Sequence, residues 1–174
     1  MTREEERNLL RGDCYKLIER CRLQGRSDCW HENGVVVATS GCFDILHAGH
    51  VRFFWEVARL GGCLVVCVNS DDSVRRLKGR SRPIVPLPDR LEVLSALEPV
   101  DHLVVFEDDT PEGVIEVIRP NIWVKGGDYH QKDLVEAPTV LKYGGVVQIL
   151  PYHPGHSTTS LWGKLDGSGR HYDT

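Results

Sequence analysis

The chain has 174 residues, 41% hydrophobic and 26% charged, which is enough for one globular domain with a real core and too little for a second catalytic domain. A formal net charge of −4 removes the broad positive field expected of a nucleic-acid binder. No apolar run approaches the ~20 residues of a membrane span, and the highly charged start carries no secretion signal, so a cytoplasmic protein is expected, with no membrane or nucleic-acid partner.

Residues from about Arg3 to Leu23 place Leu9, Leu10, Leu17, Ile18 and Cys21 at helical spacing. They predict an amphipathic helix, interrupted near Gly12, that packs on the outside of the core or against a partner subunit. The six cysteines have no paired spacing and read as thiols, Cys63 and Cys67 as small hydrophobes; Cys29 and His31 are zinc-ligand types without regular partners.

From Val35 the pattern alternates β-branched runs with helical stretches, predicting an α/β fold: a Rossmann-like open parallel sheet with helices on both faces. The predicted strands are Val35 to Ser40, Leu64 to Asn69, His102 to Phe106, Ile122 to Lys125 and Val146 to Leu150. Helices are expected over Gly49 to Leu60, Ser73 to Leu77, Pro88 to Leu97 and Pro111 to Ile118, with a short piece near Lys132 to Val135 and a last helix from Ser157 or Thr158. This divides the chain into a helical extension over 1–32, a domain over 33–165 and a disordered tail over 166–174.

Ligands of such sheets bind beyond the carboxyl ends of the strands, where the strand order reverses. The unusual residues do follow predicted strands: Gly41-Cys-Phe-Asp-Ile-Leu-His-Ala-Gly-His50, Asn69-Ser-Asp71, Lys125-Gly-Gly-Asp-Tyr129 and Gly155-His-Ser-Thr-Thr159. His47 and His50, three apart at a helix start, lie on one face, where imidazole donors beside free backbone N–H groups suit phosphate oxygens; a histidine pair satisfied by carbonyls is the structural alternative. Gly49 permits close approach. Arg75, Arg76, Lys78, Arg80 and Arg82 form a basic cluster that reads either as a solvated loop or as a phosphate grip. Ser157, Thr158 and Thr159 are both N-cap types and anion donors.

The string from Gly41 to His50 closely resembles the signature of the cytidylyltransferase-like nucleotidyltransferase superfamily, and the match continues through Arg90, Lys125 to Tyr129 and Ser157 to Thr159. Val68 to Asp71, Arg76 to Gly79, Arg82-Pro83, Leu97-Glu98 and Val124 to Tyr129 resemble one branch of it, the adenylyltransferase half of bifunctional ADP-heptose synthases, without the sugar-kinase half.

The resemblance implies the HxGH nucleotidyltransferase fold and transfer of a nucleoside monophosphate, most simply AMP from ATP, to D-glycero-β-D-manno-heptose 1-phosphate supplied by a separate kinase. His47, His50, Lys78 and Arg90 would be catalytic. Gly41, Cys42, Phe43, Asp44, Gly49, Lys125, Gly126, Asp128, Ser157, Thr158 and Thr159 would bind the nucleotide, and Asn69, Asp71, Lys78, Arg82 and Tyr129 the second substrate. Mg²⁺ would be held mainly by the nucleotide phosphates, with no metal site of the protein's own. Asp44 would assist the ion or fix a histidine tautomer, the alternative being a helix-approach cap. Relatives are often dimeric, which implies a homodimer here.

Two departures stand out. Tyr152-His-Pro154 replaces an arginine found in glycerol-phosphate cytidylyltransferases, leaving His153 or Lys164 as substitutes, and His156 replaces a small residue. The competing expectations are GMP or CMP transfer to a related sugar or polyol phosphate such as glycerol 3-phosphate, and a nucleotide-sensing domain without activity.

Overall fold

The computed structural model describes residues 16–127, 130 and 133–151. Five strands, β1 (Val36–Gly41), β2 (Cys63–Asn69), β3 (His102–Phe106), β4 (Ile122–Gly126) and β5 (Val146–Leu150), form one parallel sheet in the order β3-β2-β1-β4-β5. Among the described residues six α-helices accompany them: α1 (Leu23–Asn33), α2 (Ala48–Ala58), α3 (Asp71–Lys78), α4 (Leu87–Ser95), α5 (Glu112–Ile118) and α6 (Ala137–Lys142).

The period-two alternation of a strand divides the core into two layers. Val36, Ala38, Val65, Cys67, Val104 and Trp123 face α1, α5 and α6, meeting Leu23, Trp30, Ile115, Ile118 and Val140. Their sequence neighbours Val37, Leu64, Val66, Val68, Leu103 and Val124 face α2 and α4, meeting Phe54, Val57, Leu91 and Leu94. Because both faces are covered, β2 reads as an almost unbroken apolar run, Cys63-Leu-Val-Val-Cys-Val68. Burial raises the thiol pKa of Cys63 and of Cys67 to about 12, so both pack as neutral groups.

The five strands and the helices at α2 to α5 lie where the sequence predicts them, within two residues at each end. The N-terminal side differs. Instead of a helix ending at Leu23, Lys16 to Ile18 run beside β3: Leu17 forms a parallel bridge with Leu103, Leu103 N–H donates to Lys16 C=O at 2.9 Å, and Ile18 N–H donates to Leu103 C=O at 2.9 Å. The unpaired edge of β3 recruits this segment and overrides its helical period. The helix begins at Leu23, and its inner face is Leu23, Ser27 and Trp30. Ser27 donates to Ile118 C=O at 2.8 Å, so a hydroxyl sits where a hydrophobic period would need an apolar residue.

The predicted short piece near Lys132 to Val135 lies partly outside the described residues, with Asp133 in a 3-10 turn and Val135 an exposed turn residue, and a further helix follows over Ala137–Lys142. Pro138 lies in the first turn of α6, where its missing N–H has no intrahelical acceptor to lose. The predicted last helix, the tail over 166–174 and the chain before Lys16 lie outside the described residues. Among the described residues no helix is long and apolar enough to cross a membrane.

Candidate active site

The strand order reverses at β1, which has β2 on one side and β4 on the other, so the crevice of this sheet opens beyond the carboxyl ends of β1 and β4. The loop after β1 feeds α2, and His47 is the N-cap of that helix in extended backbone conformation. Its Nδ1 accepts the Gly49 N–H at 3.1 Å, and His50 Nδ1 accepts the His47 N–H at 3.4 Å. The two imidazoles thus form a reciprocal capping box, with ring centroids 4.0 Å apart.

That arrangement sets the chemistry. With each Nδ1 accepting from backbone, the proton of the neutral ring resides on Nε2, and both rings can donate. His50 is held neutral: burial pushes its pKa down to about 4, helped by the charges of His47 and Lys78. Phe43 supports it edge-on, ring centroids 5.8 Å apart, and packs on Phe54. To do so Phe43 takes a positive φ of 47°, and Gly41 leaves the room, since a Cβ there would lie 3.0 Å from the Phe43 ring.

Asp44 is buried and faces the segment after α3. Its carboxylate accepts from Arg82 at 2.6 Å and from the Ile84 and Val85 N–H groups at 2.8 and 2.9 Å. Burial alone would raise its pKa, but these hydrogen bonds and the Arg82 charge outweigh it and hold the carboxyl below the ordinary value. The cap of α2 is therefore His47, and Asp44 ties the β1–α2 loop to residues 82–85.

Arg90 on α4 is enclosed, its side chain 0% exposed. Its guanidinium donates to the Cys42 carbonyl beyond β1, to the Asn69 carbonyl at the end of β2 at 2.9 Å, and to Asp71 at 2.7 Å. It braces the site floor from beneath. Asn69 is turned inward onto Ser73 at 2.9 Å, and the Cys42 thiol lies 3.9 Å from the Asn69 amide oxygen.

The basic cluster divides. Arg75 pairs with Asp72 at 2.6 Å and Arg76 with Asp109 at 2.7 Å on the surface of α3. Arg82 is occupied by Asp44, whereas Lys78 is exposed, makes no ion pair among the described residues and adds to the positive potential at His50.

On β4, Lys125 crosses the switch point to donate to Ser40 Oγ at 3.0 Å and pairs with Glu136 at 3.1 Å. Gly126 admits Phe53, whose ring a Cβ would meet at 3.0 Å. Asp128, Tyr129, His153, His156, Ser157, Thr158, Thr159 and Lys164 lie outside the described residues. Neither Ser40 nor Glu136 is marked as a site residue by the sequence: Ser40 looks like the end of a β-branched run, and Glu136 sits in no recognisable motif.

The cytidylyltransferase-like family matches residues 38–161, which include most of β1 and every later element described above. The chain belongs to this family. As a cytidylyltransferase-like protein it is similar to the bifunctional protein HldE of Streptomyces coelicolor, 56% identical over 130 residues, 75% of this chain and 28% of that one. It is likewise similar to the bifunctional protein HldE of Wolinella succinogenes, 43% identical over 164 residues, 94% of this chain and 32% of that one. The chain thus spans less than a third of the length of these curated relatives. Among solved structures it resembles the lipopolysaccharide core biosynthesis protein of Thermoplasma volcanium, with a TM-score of 0.55 and 33% identity over 69% of this chain and 97% of that one. The Rossmann-like nucleotidyltransferase fold expected from the sequence is the fold observed.

Proposed function

We propose that this cytidylyltransferase-like chain transfers AMP from ATP to D-glycero-β-D-manno-heptose 1-phosphate, releasing pyrophosphate. The observation that carries the reading is the His47–His50 capping box at the switch point, which presents two Nε2 donors beside the N-terminus of α2. Similarity to the HldE proteins at 43 and 56% identity supports the heptose branch.

The reaction needs no nucleophile from the protein. An oxygen of the sugar phosphate attacks the α-phosphorus in line, a new P–O bond forms, the bond to the bridging oxygen breaks, and pyrophosphate leaves with the electron pair. Charge builds on the phosphoryl oxygens, where His47 and His50 donate hydrogen bonds from a preorganised position and Lys78 supplies positive charge.

Mg²⁺ fits this site as a passenger on the phosphates, because Asp44 is committed to Arg82 and two backbone N–H groups and Asp71 to Arg90. Bound there, it would neutralise charge on the triphosphate. The described residues contribute binding and orientation: the Asp44 clamp holds the basic segment, and Arg90 fixes the ends of β1 and β2. The sugar 1-phosphate must come from a kinase reaction.

The test is pyrophosphate release by the purified protein with Mg²⁺ and each of ATP, GTP, CTP and UTP, offered the heptose 1-phosphate or glycerol 3-phosphate. Turnover confined to ATP and the heptose is expected. Turnover with glycerol 3-phosphate, or with another nucleotide, would overturn the assignment of substrates, and none with any pair would favour a nucleotide-sensing domain.

A further inference from the structure

We infer that Glu136 is a positioning residue that holds the Lys125 ammonium across the switch point and directs it to a neutral hydroxyl oxygen of a bound ligand instead of a phosphate. The inference rests on the transferase reading above and goes beyond it by separating two kinds of lysine in one site.

Lys125 is the penultimate residue of β4, and its ammonium reaches Ser40 Oγ on β1 at 3.0 Å, so it spans the two strands that flank the crevice. Glu136, just before α6, is 3% exposed and lies 3.1 Å from the same ammonium. Its Oε1 also accepts the Nε1–H of fully buried Trp123 at 3.3 Å, which fixes the carboxylate from below. An ammonium has three donors and no acceptor. Two are occupied, and the side chain keeps 22% of its surface exposed, so one donor remains for a ligand.

The electrostatics decide what that ligand atom is. A buried carboxylate without a counterion is strongly unfavourable, and Lys125 is the cation paired with it among the described residues. Taken together the pair is neutral, and a neutral pair attracts a triphosphate far less than a free cation does. Lys78 is the opposite case: exposed, without an ion pair among the described residues, and close enough to His50 to lower its pKa. Lys78 is therefore suited to phosphate and Lys125 to an uncharged acceptor that wants one well-aimed donor. Hydroxyl oxygens occur on the nucleotide ribose and on the sugar of the second substrate, and the two sources can be told apart.

The experiment is calorimetric titration of the full chain with ATP, with 2′-deoxy-ATP, with 3′-deoxy-ATP and with the heptose 1-phosphate, each alone with Mg²⁺. It compares wild type with Glu136→Gln, Lys125→Met and the double variant. Each single variant is expected to weaken one ligand by about tenfold, the size of one charge-assisted hydrogen bond, and to leave the other ligand unchanged. The double variant is expected to be no weaker than Lys125→Met alone, because Glu136 acts through Lys125. The salt dependence of Kd is expected to stay that of wild type in the double variant, which is neutral at this position as the native pair is.

A loss on ATP that one of the deoxynucleotides does not show identifies the ribose; a loss on the heptose 1-phosphate identifies the sugar. Unchanged affinity in Glu136→Gln, additive losses in the double variant, or a flattened salt dependence in the double variant would each overturn the inference. Should Lys125→Met fail to fold, Lys125→Gln combined with Glu136→Gln keeps a neutral hydrogen-bonded pair and carries the same expectation. Binding of single ligands needs no turnover, so a wild type that releases no pyrophosphate would count against the transferase reading while these constants still decide the role of Glu136.

Discussion

Arg82 donates to Asp44 at 2.6 Å, and the same carboxylate takes the Ile84 and Val85 N–H groups, so one aspartate of the β1–α2 loop holds the whole segment that follows α3. Asp44→Asn is expected to lose about 2 kcal/mol of stability at pH 7, because the charge-assisted hydrogen bonds from Arg82 and from the Ile84 and Val85 N–H groups give way to weaker neutral ones. The native pKa of Asp44 lies below its ordinary 3.8, so its contribution is present above that value and is lost as pH falls through the native pKa. Urea denaturation of both proteins should show a gap that is full at pH 7 and closes on acidification below about pH 4; a gap that does not depend on pH would refute the ionic account.

His50 titrates at lower pH than an ordinary surface histidine. Its native pKa of about 4 lies below the 6.5 of a free side chain, so the unfolded chain binds more protons between these values. The contribution of His50 to stability is complete above pH 6.5 and declines as pH falls toward 4. Lys78→Met removes one of the charges that depress it and is expected to raise the native value. Side-chain NMR titration of His50 in wild type and Lys78→Met checks both statements, and identical titrations would place Lys78 away from the histidine pair.

The strands were legible because each carries a short β-branched or apolar run, and His47 and His50 were legible because their spacing at a helix start is itself a geometric statement. What escaped the sequence lies in contacts between distant residues. Nothing near Leu17 announces that the edge of β3 will pair with it, and Ser27 hides a helix face behind a hydroxyl that finds the Ile118 carbonyl 91 residues away. Glu136 is one acid among 25 Asp and Glu residues until the fold places it against Lys125 and Trp123. Arg90 carried a recognisable motif position, but only packing reveals that its guanidinium is enclosed.

His50 has two jobs that substitution can separate. Its Nδ1 caps the His47 N–H, and its Nε2 is free to donate to a phosphoryl oxygen. His50→Asn can keep an acceptor for the cap, whereas His50→Ala cannot. Both are expected to lower kcat by about 10²- to 10³-fold, as losses of transition-state donors do, with Ala losing about 1 kcal/mol more stability than Asn. Near-normal kcat in His50→Asn, measured by pyrophosphate release, would leave His50 a structural cap alone.

Gly41 and Phe43 are a matched pair. A methyl at position 41 would sit 3.0 to 3.3 Å from three carbons of the Phe43 ring, and that ring is pinned between Phe54 and His50. Gly41→Ala is expected to destabilise the protein by about 1 to 2 kcal/mol and to lower kcat more than it raises KM, because the displaced ring supports His50. Combining it with Phe43→Leu, which shortens the obstructing side chain, should recover part of the stability. A stable, fully active Gly41→Ala would show that the ring moves freely.

Arg90 tests whether a cation or a fork is required beneath the site. Its guanidinium serves two carbonyls, at Cys42 and Asn69, and the Asp71 carboxylate, three acceptors on one loop, one strand end and one helix. A lysine ammonium keeps the charge but concentrates its donors at one point, so it cannot span the same set. Arg90→Lys is therefore expected to lose about 3 kcal/mol, close to the loss in Arg90→Met, and to release the Cys42 carbonyl from its brace. Because that carbonyl starts the loop that carries the histidine pair, kcat should fall in both variants even at temperatures where they remain folded. Denaturation midpoints and pyrophosphate release measured side by side decide the matter: if Arg90→Lys matches wild type in both, charge alone suffices, and if both variants lose stability but keep full turnover, the brace serves the fold and the histidine loop is held from elsewhere.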